Sequence, residues 1–178
     1  MTPLYTSNVK STKYNPQYRN EEGEYQKSEW TSCHDIGKLY DGKEFTVNDY
    51  MVVENAYIYA VLSFVNCANI TTLIVKHLER HNASIANVGS PLVYTEGMKK
   101  LFENLYEGLI LEIKEIEDLC RLILREQLWC KLESDNKMFV HFGYDYYMYI
   151  GCLLKHERIS NLIEGKGLFI EEFKSPYA

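Results

Sequence analysis

The alternation of residues between Leu128 and Ile150 restricts this chain more than any other stretch. Side chains of a strand point to its two faces in turn. Here Leu128, Cys130 and Leu132, then Met138, Val140, Phe142, Tyr144, Tyr146, Met148 and Ile150, are all apolar or aromatic at even positions. An antiparallel hairpin that buries both sets together must pair residues whose numbers sum to an even value. A two-residue turn at Asp135-Asn136 gives an odd sum and turns one set toward water. A three-residue loop, Ser134-Asp135-Asn136, pairs Glu133 with Lys137 and puts Asn136 at the left-handed position such loops need. The odd positions mix rings with polar groups: Trp129, Lys131, Glu133, Phe139, His141, Asp145, Tyr147 and Tyr149. They describe a half-wet face able to carry contacts.

Upstream, Thr46 and Asp49 form a capping box, and Tyr50, Val53, Tyr57, Val61 and Phe64 recur at helical spacing. Met51, Ile58, Leu62 and Val65 widen that apolar face, so a helix over 47–66 should be the central one, covered on two sides. Residues 70–79, ITTLIVKHLE, are short and rich in Ile, Thr and Val, which favours a strand over a helix. Thr95 to Glu126 reads as charged, Leu-rich helix in which Gly108 offers a break; Lys155–Glu164 reads as a short helix and Gly167–Phe173 as a last strand. Trp30–Phe45 reads as an ordered loop with a tight turn at Asp41-Gly42. Residues 1–29, with Pro3, Pro16, Gly23 and the acidic Glu21, Glu22 and Glu24, show no sustained period and read as a loose arm. The expected class is α+β: one domain over residues 30–178, with a central helix packed on a mostly antiparallel sheet that includes a long hairpin.

A chain of 178 residues hides roughly 70% of its unfolded surface on folding, enough for a core without staples. Its five cysteines contain no CxxC pair and sit largely in apolar runs, as in a reducing compartment. No stretch approaches the ~20 apolar residues of a membrane span, and the first residues lack a signal-type apolar segment. The expectation is a cytoplasmic protein without a membrane contact. A net charge of −6 opposes direct binding to nucleic acid phosphates and suits a basic protein partner. Fifteen tyrosines point the same way, because Tyr offers large area and a polar tip at low entropy cost.

Catalytic signatures are missing. Gly165-Lys166-Gly167 lacks the rest of any phosphate-binding loop, and there is no GxSxG or HExxH. Cys33-His34-Asp35 holds nucleophile, base and acid types side by side, but catalytic partners meet in space rather than in sequence, so local turn bonding by Asp35 is the simpler reading. His34, His77, His81, His141 and His156 show no metal-ligand spacing with the cysteines, and no cofactor is expected. A general acid and base pair of His34 and His141 would make an RNA-processing enzyme, the rival from a different class. A structural or regulatory module that self-associates through the hairpin is the other. Acidic groups are the better lead: Glu103, Glu107, Glu112, Glu115, Glu117 and Asp118 along one region, and Asp145 beside Tyr147 and Tyr149. Negative charge steers a basic partner in, and rings slow its release.

Four stretches carry a likeness to a known family. They are Trp30 to Tyr57 through Asp35-Ile36-Gly37-Lys38, Tyr40, Gly42-Lys43 and Phe45-Thr46; LWCKLE (128–133); FGYDYYMY (142–149); and GLFIE (167–171) with Ser175-Pro176-Tyr177 after it. In these the chain resembles bacterial immunity proteins of contact-dependent growth inhibition and related polymorphic toxin systems. The resemblance implies a small cytoplasmic protein that binds one cognate toxin, often a nuclease that cleaves tRNA, and blocks its active site or substrate surface. It carries over no catalytic residues. The expected contacts, read from the hairpin's wet face, are Tyr147, Tyr149, Asp145, Trp129, Glu133 and His141.

Overall fold

A computed structural model describes residue 5 and residues 7–85, 90–154 and 157–177. Pro3, Lys155 and His156, which figure in the expectations above, lie outside the described residues. In chain order the elements are β1 (Ser7–Thr12), β2 (Leu39–Tyr40), β3 (Lys43–Glu44), α1 (Val47–Cys67), β4 (Thr72–Arg80), α2 (Glu96–Asn104), β5 (Ile110–Glu112), α3 (Ile113–Leu124), β6 (Leu128–Ser134), β7 (Met138–Phe142), β8 (Tyr147–Cys152), α4 (Glu157–Glu164) and β9 (Phe169–Glu172). Strands β2 and β3 make a small hairpin through Asp41 and Gly42, both at positive φ; the other seven form one sheet in the order β5-β4-β6-β7-β8-β1-β9. Every neighbouring pair in it is antiparallel, and the helices pack on the sheet, so the class is α+β.

The even parity of the hairpin is present, with a shifted loop. Leu132 faces Val140 and Lys131 faces His141, while Glu133 faces Phe139 instead of Lys137. The reason is local: Asp135 and Asn136 both take positive φ (25° and 59°), as short polar residues tolerate, and the Lys137 N–H closes the loop on the Ser134 carbonyl at 2.6 Å. The same parity runs onward across the sheet. Val75, Leu132, Val140, Ile150 and Val9 are successive cross-strand partners on five strands, and all are fully buried. Burying each such side chain contributes roughly 1.5–3 kcal/mol. This row meets Tyr57, Val61 and Phe64 of α1 and Ile116 and Leu119 of α3 in a single core. The opposite face carries the complementary row Lys76, Lys131, His141, Tyr149 and Lys10.

Two sequence expectations fail. The alternation does not run unbroken from Met138 to Ile150, because residues 143–146 turn the chain back between β7 and β8. Tyr144, assigned to the buried face, is 85% exposed, while Phe142 opposite Met148 restores the parity beyond the turn. Nor are residues 7–12 part of a loose arm: β1 lies between β8 and β9, paired on both sides. Its inward residues are Ser7, Val9 and Ser11, so the alternation is real but written partly in small hydroxyl side chains that hydropathy does not register.

The central helix agrees closely with expectation. Thr46 caps α1 through its Oγ1, which accepts from the Asp49 N–H, while the Asp49 carboxylate accepts from the Thr46 N–H. The charged segment 95–126 breaks around Gly108, whose φ of 90° suits glycine, into α2 and α3 with β5 between them. Residues 72–80 are a strand, interrupted by a bulge where His77 takes φ 53° and the freed N–H groups of His77 and Leu78 donate to the Glu107 carboxylate.

Candidate functional site

At one end of the sheet the chain leaves an open cavity of about 420 Å³. It lies where α3 passes into β6 and where β7 turns into β8, with the end of β4 and the Thr31-Ser32 loop on its other sides. Three backbone positions on its wall are left-handed without being glycine: Glu126 (φ 57°), Asp145 (φ 52°) and Tyr146 (φ 62°). An aromatic residue in that region is a true outlier, and packing holds it there. The Tyr146 ring meets Trp30 edge-on at 4.8 Å, its hydroxyl donates to the Leu124 carbonyl at 2.8 Å, and its own carbonyl accepts from the Tyr57 hydroxyl. Trp30 in turn stacks on Phe45 at 4.5 Å.

The wall combines rings with acids. Trp129 is fixed by its indole N–H, which donates to the Phe142 carbonyl at 2.6 Å, and Tyr144, Tyr147 and Tyr177 stand around it. The carboxylates are Glu79, Glu126 and Asp145, and the described lining contains no lysine or arginine. Glu126 Oε1 accepts from the Ser32 hydroxyl at 2.6 Å, and its Oε2 lies 3.8 Å from Nε2 of the exposed His34. His81 joins the site through Nδ1, 3.0 Å from the Glu126 carbonyl. Nearby, Lys13 is held between the rings of Tyr14 and Trp30 with its ammonium 3.3 Å from Glu29, and burial brings its pKa down to about 8.

The six residues expected to contact a partner separate into three groups. Trp129, Tyr147 and Asp145 come together at the cavity. Tyr149 and His141 do not face water, because residues 173–177 fold back across that face of the sheet. Ser175 Oγ lies 2.9 Å from His141 Nδ1, the Lys131 ammonium donates to the Tyr177 carbonyl, and the Tyr177 ring packs on Trp129 and Tyr149. The half-wet face of the hairpin is thus covered by the chain's own last described segment. Glu133 stays partly exposed, away from the cavity, 3.9 Å from His141 Nε2. That gap is beyond hydrogen-bond reach, so burial decides the imidazole's behaviour and lowers its pKa to about 3.

His34 and His141 share no neighbour among the described residues: His34 meets Glu126, whereas His141 meets Ser175, Phe139 and Tyr177. Cys33-His34-Asp35 forms a single turn in which the Asp35 carboxylate accepts from the N–H groups of Thr31 and Ser32, and burial pushes the Cys33 thiol up to about 12. Among the described residues no three His, Cys, Asp or Glu side chains are placed to hold a metal, and no helix is long and apolar enough to cross a membrane. Three of the six acids over 103–118 are engaged locally: Glu107 at the bulge, Glu115 at the start of α3 and Glu117 with Arg121. Sequence reading missed Glu79, Glu126 and the exposure of Tyr144. The available signal was the polar run Arg125-Glu126-Gln127 between an apolar helix and an apolar strand. Compared with known proteins, the chain matches no family model, no curated protein and no solved structure.

Proposed function

We propose that this chain is an inhibitor of the immunity type, which neutralises a basic toxin domain, a nuclease in the first instance, by stoichiometric binding in the cytoplasm. The observation that carries the reading is the cavity at the sheet end, where three carboxylates and a set of rings are open to solvent with no lysine or arginine in the described lining. Tyr144 at its rim is the most exposed large ring of the described residues. Negative charge raises the rate of encounter with a cationic partner, and an aromatic anchor slows its departure. The net charge of −6 and the resemblance of residues 30–57, 128–133, 142–149 and 167–171 with 175–177 to immunity proteins support the same role. A catalytic toxin must be sequestered almost completely. That calls for an interface of roughly 800 Å² per partner and nanomolar affinity, with the cavity as an anchor point inside a larger contact.

The test is to purify this chain with the toxin domain encoded directly upstream of it and titrate toxin activity. Loss of activity with a break at one equivalent is expected. Full toxin activity in the presence of excess chain removes the reading.

A further inference from the structure

We infer that the cavity receives the guanidinium of an arginine side chain presented by the partner; this rests on the inhibitor reading above. Elsewhere in the fold, several carboxylates shielded from solvent are matched by cations. Glu171 takes the fork of Arg19 at 2.6 and 2.8 Å, Glu54 takes Arg125 and Arg121, and Glu29 takes Lys13. The cavity departs from that pattern. Among the described residues, Glu79 and Asp145 have no hydrogen-bonded or ion-paired cation, and Glu126 has only a hydroxyl and a distant, exposed imidazole. Lys13 acts on Asp145 from a distance, since its ammonium is committed to Glu29. Three acids around an opening of about 420 Å³ form a site with charge to spare. A few hundred cubic ångströms is the scale at which proteins enclose small groups.

The rings decide which cation fits. Trp129, Tyr144, Tyr147 and Tyr177 bound the space, and a planar guanidinium stacks on an aromatic face while donating two parallel N–H bonds to a carboxylate. An ammonium is compact, strongly hydrated and unable to make the bidentate contact, so it exploits the acids and leaves the rings unused. Anions are opposed by the three carboxylates of the wall. The backbone agrees: Glu126, Asp145 and Tyr146 are kept at positive φ, a cost borne where it aims side chains at a ligand.

The experiment uses the intact chain and N-acetyl-arginine methylamide, with its lysine and citrulline counterparts as controls, following the indole N–H signal of Trp129 by NMR. The expected result is a saturable shift with the arginine compound. Binding of the lysine and citrulline compounds, and of arginine by the Glu126→Gln/Asp145→Asn variant, should be at least tenfold weaker. Asn is at home at a left-handed position and Gln keeps the acceptor for Ser32, so the variant retains the fold, which its dispersion of NMR signals verifies. Equal binding of citrulline, equal binding of lysine, or undiminished binding by the variant overturns the inference. Toxin titration separates the two proposals. If the variant neutralises toxin as tightly as the unmodified chain, the inhibitor reading stands and the arginine site falls. If the unmodified chain binds arginine but fails to neutralise, the site stands as a guanidinium site and the inhibitor reading falls.

Discussion

Glu54 is a carboxylate in the middle of α1 with no exposed surface, and its replacement tests how the helical layer is held together. Its Oε1 accepts from Arg125 Nε at 2.6 Å and from the Tyr50 hydroxyl at 3.2 Å; its Oε2 accepts from Arg125 at 2.9 Å and from Arg121 at 2.7 Å. Arg125 is itself buried, and although burial opposes its charge, Glu54 more than offsets that and raises its pKa. Glu54→Gln keeps the shape, removes the charge and turns an amide N–H₂ toward a guanidinium. Leaving one member of a buried pair without its counter-charge costs about 3–5 kcal/mol. A domain of this size is stable by about 5–15 kcal/mol, so the loss is a large share. At about 2–4 °C per kcal/mol the melting temperature should fall by roughly 6–20 °C. Urea denaturation followed by circular dichroism measures it, with the slope checked for constancy. Removing both charges in Glu54→Leu/Arg125→Met should recover most of the loss, because the desolvation cost goes with the pair. Recovery stays incomplete: the Val93 carbonyl loses its donor from Arg125, and Arg121 keeps only Glu117. A Glu54→Gln protein within about 1 kcal/mol of the unmodified chain, or a double variant no better than the single one, refutes this account.

Three further outcomes are expected. Gly151→Ala places a Cβ 2.1 Å from the Phe139 ring; overpacking of this kind costs about 1–3 kcal/mol or more, and thermal denaturation should show it. His141 is neutral in the fold, its pKa lowered by burial from 6.5 to about 3. The unfolded chain therefore binds the extra proton between those values, and stability should be full above pH 6.5 and fall as pH drops toward 3. His141→Asn should flatten that limb of a stability-versus-pH curve, and an unchanged slope counts against the assignment. Arg19, with Lys10 and against the opposing effect of burial, holds the Glu171 carboxyl down at about 2. Its contribution should be present above the ordinary carboxylate range and vanish as pH falls through 2, so urea midpoints of Glu171→Gln and the unmodified chain should differ at pH 7 and converge near pH 2.

What the sequence discloses here depends on how far a signal reaches. The capping box of α1 and the parity of β6 and β7 are local consequences of side-chain spacing, and both are in the structure. The placement of the hairpin loop is off by one residue because Asp135 and Asn136 share the left-handed turn, which spacing alone cannot assign. Strand β1 escaped notice because Ser7 and Ser11 fill inward positions where hydropathy looks for aliphatic side chains. The covering of Tyr149 and His141 was invisible for a different reason. Nothing in Lys174-Ser175-Pro176-Tyr177 signals that it returns across the sheet; only the assembled partners, Lys131, His141 and Trp129, make that path favourable. Of the candidate site, Trp129, Tyr147 and Asp145 were legible as wet-face residues, while Glu79 and Glu126 come from β4 and the end of α3 and join them only through the tertiary fold.

Strand β1 has a consequence for how this molecule is made. Ser7 pairs with Cys152 and Val9 with Glu172, so β1 completes its hydrogen bonding only with strands far along the chain from it. During synthesis β1 waits, unpaired, until β8 and β9 have left the ribosome. Closing so long a loop is entropically slow, and folds dominated by such distant pairings form later than those built from neighbours. The newly made chain passes through an interval in which the β8 edge is bare and able to pair with another copy, so its yield should depend on how crowded that interval is.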